Sequence, residues 1–259
     1  MSDAASATSE LCNQLSVEKL SVDFAGYRAV DNVTFAVQAG SIHCLIGPNG
    51  AGKSTCFNLI TKFIRPTSGR IFLDGIDVTK DSPVSIARKG VVRSFQISAT
   101  FGGLNVFENV CVALQSRNRE AYRWRRSDSA LKRYRDEADS LLEGVGLLDQ
   151  RTADVATLSY GRKRALEIAT TLALDPKILL LDEPMAGMAS ADVGRVVELL
   201  HKVRKGRTIL MVEHNLRAVE EVSDTVTVLA RGRILAEGSY AEVASDPQVK
   251  QAYLGAEDV

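Results

Sequence analysis

The amino-acid sequence predicts an α/β fold in which a parallel sheet adjoins an antiparallel patch and carries an inserted helical region. Short apolar runs rich in β-branched residues recur along the chain and indicate strands. Two of them, in KILLLDEP and RTILMVEH, are apolar throughout, which is typical of strands buried on both faces of a parallel sheet. Helical patterns separate several runs, and this alternation favours an α/β core. The predicted strands are Val17–Phe24, Val33–Val37, Ser41–Ile46, Arg70–Leu73, Ile178–Leu181, Thr208–Val212, Thr225–Leu229 and Arg233–Glu237.

Two regions depart from this alternation. The early segment from VEKLSVDF to AVDNVTFAV has strand after strand without a helix, so we expect the antiparallel patch there. From about residue 106 to 148 apolar residues recur on one helix face, and we assign a helical subdomain to about residues 97–165. A single domain is expected over residues 15–255, with polar tails at 1–14 and 256–259. The predicted helix face consists of Leu131, Tyr134, Ala138, Leu141, Leu142 and Val145.

The composition is that of an ordinary globular protein. The chain has 259 residues, of which 45% are hydrophobic and 25% are charged, and its formal net charge of zero gives no indication of a general nucleic-acid binder. Four cysteines lie far apart without a Cys-x-x-Cys pair, which indicates reduced thiols, with Cys44 and Cys56 in the core. No apolar run approaches the roughly 18–20 residues that span a bilayer, so no membrane-spanning segment is expected.

The stretch CLIGPNGAGKST matches the phosphate-loop pattern G-x-x-x-x-G-K-[ST]. It lies between a predicted strand, Ile42–Ile46, and a helix that begins near Lys53. Glycines permit close backbone approaches, and successive N–H groups form an anion nest at the helix N-terminus. We expect Lys53 to reach the β- and γ-phosphates of a nucleotide, Ser54 to ligate Mg²⁺ and Thr55 to help hold the α-phosphate. The predicted phosphate-binding residues are Gly47, Pro48, Asn49, Gly50, Ala51, Gly52, Lys53, Ser54 and Thr55.

Two acidic residues follow the apolar strand in ILLLDEP, at the edge of the sheet where α/β proteins bind ligands. We expect Asp182 to orient Mg²⁺ through its water shell and Glu183 to polarise the water that attacks the γ-phosphate. Acids at a strand end often only cap the next element. The phosphate loop in the same chain favours the catalytic interpretation.

A histidine and a glutamine complete the predicted site. His214 follows the strand TILMV; an isolated histidine there is more often structural, but beside a phosphate loop it is predicted to contact the γ-phosphate and orient the attacking water. Gln96, in VVRSFQ, is an uncharged side chain that is predicted to sense Mg²⁺ and the γ-phosphate. By itself this glutamine would predict nothing.

A second anion-binding pattern lies far downstream, in TLSYGRKRALEIA. Ser159 occupies a position suited to a helix N-cap, and Gly161 permits close backbone approach beside the free N–H groups of the first turn. A single bound nucleotide needs only one such phosphate-binding segment. The pattern therefore raises the question of which nucleotide this second segment binds.

In order and spacing, the phosphate loop, Gln96, LSYG, LLLDEP and His214 resemble an ATP-binding-cassette ATPase over nearly the whole chain, from about Leu15 to Gly255. LSYGR is a variant of the Leu-Ser-Gly-Gly-Gln signature of that family. The resemblance implies that two cassettes meet head to tail, so that Ser159 and Gly161 contact ATP bound to the partner. It also implies an aromatic residue that stacks on adenine; Phe24 matches that position and Tyr27 is the second candidate.

Details narrow the resemblance to the cassettes of branched-chain amino acid importers and their urea and amide relatives. These details are SFQISATFGGLNVFENVCVAL, the helical insert, LSYGRKRALEIA and the terminal VKQAYLG. The resemblance implies a separate subunit, peripheral on the cytoplasmic face of the membrane and bound to permease proteins. Residues from Gln96 to about Phe107 then form the groove that takes the permease's coupling helix. The cassette dimer pairs the chain with itself or with a paralogue.

The sequence departs from the family at three positions. Ala189 stands where the family usually has Asp or Asn, which predicts a lost polar link across the dimer and hydrolysis that is slower or more dependent on the partner. Arg162 and Tyr160 replace the Gln and first Gly of the signature.

The segment Arg117–Arg135 carries eight basic residues. We interpret it either as a solvated helix face or as a patch that faces anionic lipid or permease loops.

Other classes of protein remain open from the sequence. One is a soluble cassette ATPase of DNA repair or translation, although those usually carry fused cassettes or long coiled coils. Another is an unrelated phosphate-loop kinase or GTPase; the chain has no Asn-Lys-x-Asp motif for guanine, and a kinase has no need of LSYG. A third is a regulatory cassette without hydrolysis, which Ala189 favours and the intact Lys53, Asp182, Glu183 and His214 oppose.

Overall fold

The computed structural model describes residues 13–94, 100–117, 134–188 and 190–254. Within them, no helix has the length and apolarity needed to cross a membrane. The strands are β1 (Asn13–Phe24), β2 (Tyr27–Gln38), β3 (Ile42–Ile46), β4 (Ser68–Leu73), β5 (Ile76–Asp77), β6 (Val91–Arg93), β7 (Ile178–Asp182), β8 (Thr208–Val212), β9 (Thr225–Ala230) and β10 (Arg233–Gly238). The α-helices are α1 (Lys53–Ile60), α2 (Pro83–Arg88), α3 (Val106–Arg117), α4 (Arg135–Gly144), α5 (Tyr160–Leu172), α6 (Ser190–Val203), α7 (Leu216–Val222), α8 (Tyr240–Ser245) and α9 (Pro247–Leu254).

The larger sheet has the strand order β10-β9-β3-β8-β7-β6, and its strands from β9 to β6 are parallel neighbours. Every residue of β3, β7 and β8 is buried, as the uninterrupted apolar runs predict. Since these three strands are adjacent and parallel, the loops that follow them meet at one edge of the sheet. The phosphate loop follows β3, Asp182 and Glu183 lie at the end of β7, and His214 follows β8. The topology alone therefore brings these predicted site residues together.

The smaller sheet is antiparallel, in the order β2-β1-β4-β5, which confirms the expected antiparallel patch. It packs through α1 onto one face of the larger sheet. Phe57, Leu59 and Ile60 of α1 share one apolar cluster with strand residues such as Leu45 and Leu180. The alternate strand residues face the opposite side and form a second cluster with α6 and α7. The parallel sheet is therefore the middle layer of the core.

The predicted helical region forms a third apolar cluster, made by α3, α4 and α5. On the predicted face, Tyr134, Ala138 and Leu142 are buried, while Leu141 and Val145 are half-buried; Leu131 lies outside the described residues. The last helix, α5, extends to Leu172, past the boundary near residue 165 that we drew from the sequence. It contributes to both the helical cluster and the sheet's second cluster, so it joins the two parts of the molecule.

Several elements differ from the sequence prediction. Strands β1 and β2 are longer than expected and pair as a hairpin whose outer residues, such as Tyr27 and Arg28, are exposed and therefore break the apolar pattern. Strand β6 and helix α2 were not predicted, because three and six residues are too few to show a period. Cys44 and Cys56 are buried free thiols, as expected.

Candidate active site

The phosphate loop connects the buried strand β3 to helix α1, as the sequence predicts. Gly47 has φ 147°, and a Cβ at this position would lie 2.0 Å from the carbonyl oxygen of Leu229. Gly52, the N-cap of α1, has φ 102° and would place a Cβ 2.7 Å from the carbonyl oxygen of Ala29. Only glycine fits at these two positions. The N–H groups of the first turn of α1 have no side-chain cap, so they remain available to an anion.

Lys53 is the first residue of α1, and its side chain folds back over the loop. Its Nζ donates hydrogen bonds to the carbonyl oxygens of Gly47 at 2.7 Å and Pro48 at 3.0 Å. Burial lowers the pKa of Lys53, and the nearby Glu183 and Asp182 carboxylates oppose that shift. An ammonium group has three N–H donors, so one donor remains for a phosphate oxygen.

Asp182 ends strand β7 and is fully buried. One carboxylate oxygen, Oδ2, accepts a hydrogen bond from Arg93 Nη2 at 2.5 Å, and the other, Oδ1, is buried and has no partner among the described residues. Arg93 also donates to Asn58 Oδ1 at 2.6 Å, so α1, β6 and β7 are linked at this point. A buried carboxylate oxygen without a partner fits a role as acceptor for Mg²⁺ or its water shell.

The part of the chain that the structure describes contains no cluster of acidic, histidine and cysteine side chains that would bind a metal ion by itself. No group of three or more His, Cys, Asp or Glu side chains is placed to bind a metal ion there. Mg²⁺ commonly takes only one or two protein ligands, with phosphates and waters supplying the rest. The residues present therefore fit a nucleotide-bound Mg²⁺ and give no indication of a metal site independent of nucleotide.

Glu183 and His214 are in direct contact. His214 Nε2 lies 2.6 Å from Glu183 Oε1, and the Glu183 backbone N–H donates to the carbonyl oxygen of Val212 at 2.9 Å. Glu183 has φ 48°, a conformation that non-glycine residues adopt rarely and that recurs at functional sites. Both side chains remain partly exposed, so a water molecule can reach the pair.

Glu213 is a residue of this site that the sequence reasoning missed. Its buried carboxylate accepts hydrogen bonds from three backbone N–H groups: Met185 at 2.7 Å, His214 at 2.9 Å and Asn215 at 3.1 Å. The loop after β7 is thereby fixed to the loop after β8. The available signal was an acid that directly follows a wholly buried strand in TILMVEHN.

The signature segment LSYG lies at the start of α5. Ser159 is the N-cap, as predicted, but its side chain makes no capping hydrogen bond and is exposed. A Cβ on Gly161 would lie 3.1 Å from Cγ of Asp192, so the close approach at this glycine is to the chain's own α6. Among the described residues, no hydrogen bond joins the first turn of α5 to residues 47–55.

The two aromatic candidates for adenine stacking face each other across the β1–β2 turn. Phe24 is 43% exposed and Tyr27 is 63% exposed. A crevice of about 890 Å³ beside the phosphate loop is lined by Tyr27 and by Pro48–Ala51, together with the turn after β9 and helix α9; Phe24 is not part of its lining. Of the two aromatic residues, Tyr27 therefore lines the crevice beside the phosphate loop. The stacking of Phe24 on adenine stays a prediction.

Several sequence predictions fall on residues that lie outside the described ranges. Gln96 and Ala189 are among them, as is most of the basic segment Arg117–Arg135. At the described ends of that segment, Arg117 forms an ion pair with Glu137 of α4 at 2.8 Å. The roles assigned to Gln96 and Ala189 stay predictions.

A phosphate loop, a strand-end carboxylate pair and an adjoining histidine at one edge of a parallel sheet define a nucleotide-hydrolysing α/β protein. Comparison with known proteins agrees. The family model "ABC transporter" matches residues 30–186, and the model "Branched-chain amino acid ATP-binding cassette transporter" matches residues 233–259. The chain belongs to the ABC transporter family, as an ATP-binding cassette ATPase.

Curated relatives match along almost their whole length. The high-affinity branched-chain amino acid transport ATP-binding protein LivG of Escherichia coli K12 is 38% identical over 251 residues, which cover 93% of this chain and 97% of LivG. BraF of Pseudomonas aeruginosa, with the same description, is 37% identical with the same coverage. LptB of Haemophilus influenzae, a lipopolysaccharide export system ATP-binding protein, is 32% identical over 93% of this chain and 97% of LptB.

Solved structures confirm the predicted fold. The ADP conformation of MJ1267, an ATP-binding cassette of an ABC transporter, has a TM-score of 0.82 and 29% identity, covering 94% of this chain and 99% of that one. A nucleotide-free ATP-binding cassette from an ABC transporter gives a TM-score of 0.78 and 29% identity, with coverage of 93% and 98%.

Proposed function

We propose that this chain is the ATP-hydrolysing subunit of an importer for branched-chain amino acids or related polar solutes such as urea and amides. The observation that carries the solute class is the match of residues 233–259 to the branched-chain amino acid cassette model. LivG and BraF support the same assignment along 93% of the chain. LptB, by its name an export protein, is less similar at 32% identity. The alternative of a soluble repair or translation ATPase gains no support from these relatives.

In the proposed reaction the phosphate loop binds ATP and the carboxylate pair promotes attack by water. The backbone N–H groups of the phosphate loop, other than at Pro48, and the Lys53 ammonium hold the phosphates. Ser54, Asp182 and Gln96 would hold Mg²⁺, which would neutralise charge on the phosphate oxygens. Glu183 accepts the proton of the attacking water, and His214, 2.6 Å from Glu183, orients the water and contacts the γ-phosphate. Asp182 Oδ1, which lacks a partner within the described ranges, supports the metal assignment.

The proposed working unit contains two cassettes. Ser159 and Gly161 would contact ATP bound to the second cassette, which is either another copy of this chain or a paralogue. Support comes from the side chain of Ser159, which is exposed and makes no capping hydrogen bond in its own helix. The backbone N–H groups at the start of α5 are thus not capped by this side chain and can bind an anion. ATP bound between two chains stabilises the closed dimer relative to the separated chains, and hydrolysis removes this stabilisation.

The proposed permease groove lies between the sheet and the helical region. An apolar crevice of about 280 Å³ is lined by residues of β6, α3 and α5 and by Phe101, a residue that is 55% exposed. The buried Asn109 holds the loop before α3: its Oδ1 accepts from the Phe101 N–H at 2.7 Å and its Nδ2 donates to the Asn105 carbonyl at 2.9 Å. An ordered apolar site supports docking of a permease segment, and so a peripheral location at the membrane.

Glu183→Gln tests the proposed mechanism. The variant keeps the shape of the side chain but cannot accept a proton, so we expect ATP binding at the parent affinity, turnover reduced by at least about a hundredfold and a long-lived ATP-bound dimer. Binding is measured with a fluorescent ATP analogue, turnover by phosphate release and the dimer by size-exclusion chromatography. Glu220→Gln, an exposed position on α7, is the matched control and should behave like the parent. Hydrolysis at the parent rate in Glu183→Gln would contradict the proposal.

A further inference from the structure

A buried arginine connects the signature helix to the catalytic strand end. The Arg164 side chain is 7% exposed on α5, and its guanidinium makes three hydrogen bonds. Nη2 donates to the carbonyl oxygen of Asp182 at 2.6 Å, Nε donates to the carbonyl oxygen of Pro184 at 3.3 Å, and Nη1 donates to Glu167 Oε2 at 2.6 Å. No role for this residue followed from the sequence.

The two carbonyl groups that Arg164 binds lie on either side of Glu183. This glutamate has the rare φ of 48°, which persists only when the surrounding structure holds it. From the opposite side, the Glu183 N–H is bonded to Val212 and the Met185 N–H is bonded to Glu213. Arg164 thus supplies the contact that fixes the peptide groups flanking the carboxylate.

The charge of Arg164 is compensated where it is buried. Glu167, one turn further along α5, is itself 8% exposed at its side chain and neutralises the guanidinium. A planar guanidinium can bind two carbonyls and a carboxylate at once, whereas the ammonium of lysine lacks this fork. Removing one partner of a buried pair leaves an uncompensated charge, so the arrangement requires both residues.

The same helix begins at the signature. Ser159 is the N-cap of α5, and Arg164 lies five positions after it, a rise of about 7.5 Å along the helix axis. A helix this short moves as a unit, so a displacement of its first turn is carried to the Arg164 side chain. The helix end that would contact the partner's nucleotide therefore also holds the backbone around this chain's own Glu183.

We infer that Arg164 is a positioning residue that sets the catalytic conformation of Glu183 and makes it depend on the place of the signature helix. The inference rests on the proposed roles of Glu183 and Ser159. Arg164 does not touch nucleotide; it acts through the peptide groups at residues 182 and 184. A shift of about 1 Å in a catalytic group can cost on the order of a hundredfold in rate.

Arg164→Lys is the test, with Arg164→Gln/Glu167→Gln as a second variant in which no buried charge is left unpaired. We expect kcat for ATP hydrolysis to fall at least tenfold in both, while KM and the affinity for a fluorescent ATP analogue stay within about twofold of the parent. In the Glu183→Gln background, Arg164→Lys should still form the ATP-bound dimer. Arg70→Lys is the matched control, since Arg70 pairs with Glu18 on the exposed face of the antiparallel sheet.

The outcomes separate this inference from the proposed function. A folded Arg164→Lys variant with parent kcat overturns the inference, provided that Glu183→Gln abolishes turnover. A parallel loss of nucleotide affinity, dimer and melting temperature also overturns it, because that pattern indicates a role in folding only. If Glu183→Gln itself retains turnover, the proposed function fails first.

Discussion

At the residue scale, two non-glycine residues with left-handed backbones show different uses of strain. Glu183, at φ 48°, is held by contacts from three sides and carries the proposed catalytic carboxylate. Lys62, at φ 64°, follows the C-cap of α1, the position where helices prefer glycine. The residue is 6% exposed, and its buried Nζ has no hydrogen-bond partner in the part of the chain that the structure describes. Lys62 is therefore a point of instability that the proposed mechanism does not use.

Lys62→Gly is expected to raise the free energy of unfolding at neutral pH by about 1 kcal/mol or more, because it relieves the left-handed backbone and removes a buried charge. The measurement is urea denaturation of the chain without nucleotide. Lys19→Gly is the matched control, since Lys19 has φ 48° but an exposed side chain, and it should gain less. Equal gains in the two variants would show that burial of the ammonium costs nothing.

The same lysine predicts a pH dependence. Burial lowers the pKa of Lys62 to about 8, with Asp81 and Asp77 partly opposing the shift, from the ordinary value of 10.5 in the unfolded chain. Between these values the unfolded chain binds more protons than the folded one, so the parent gains stability as pH rises. The advantage of Lys62→Gly should shrink between pH 7 and about pH 9.5. A pH-independent advantage would contradict the lowered pKa.

At the scale of elements, two helix starts with the same residue type behave differently. Ser239 begins α8 with a capping box: its Oγ accepts from the Glu242 N–H and the Glu242 side chain accepts from the Ser239 N–H. Ser159 begins α5 without any side-chain cap. An N-cap serine that makes its capping hydrogen bond contributes about 1 kcal/mol to the free energy of unfolding. The Ser159 side chain makes no such bond, so it is available for another contact.

Ser159→Ala should therefore leave the free energy of unfolding within about 0.5 kcal/mol of the parent, whereas Ser239→Ala should lose about 1 kcal/mol. The proposed contact across the dimer predicts the reverse order for catalysis: Ser159→Ala lowers kcat and keeps the ATP affinity of the single chain, and Ser239→Ala leaves kcat unchanged. Denaturation and phosphate-release assays on both variants check this. Parent turnover in Ser159→Ala would remove the argument for a shared site.

Sequence patterns predicted well those elements that a run of neighbouring residues determines. The apolar runs of β3, β7 and β8 are long enough to identify buried parallel strands, and those strands bring the phosphate loop, Glu183 and His214 to one edge. The contacts that tune the site were not predictable. Arg93 reaches Asp182 across 89 positions and Arg164 reaches it across 18, and no local pattern marks which arginine is buried.

At the scale of the whole molecule, the proposed function makes the chain one half of a larger catalytic unit. The sheet edge supplies the phosphate loop and the proposed catalytic acids, while the first turn of α5 makes no hydrogen bond to that loop within the described residues. Arg164 links these two parts within one chain. In a head-to-tail pair, the nucleotide held by each chain can then bias the carboxylate of the other.

The specific ATPase activity of the isolated chain, followed over a dilution series alongside its mass in solution, tests this account most directly. We predict that turnover per chain falls towards zero as the population becomes monomeric, and that it recovers when the second cassette, the same chain or a paralogue, is supplied. Full turnover per chain in a sample that is monomeric by mass would contradict the shared-site account.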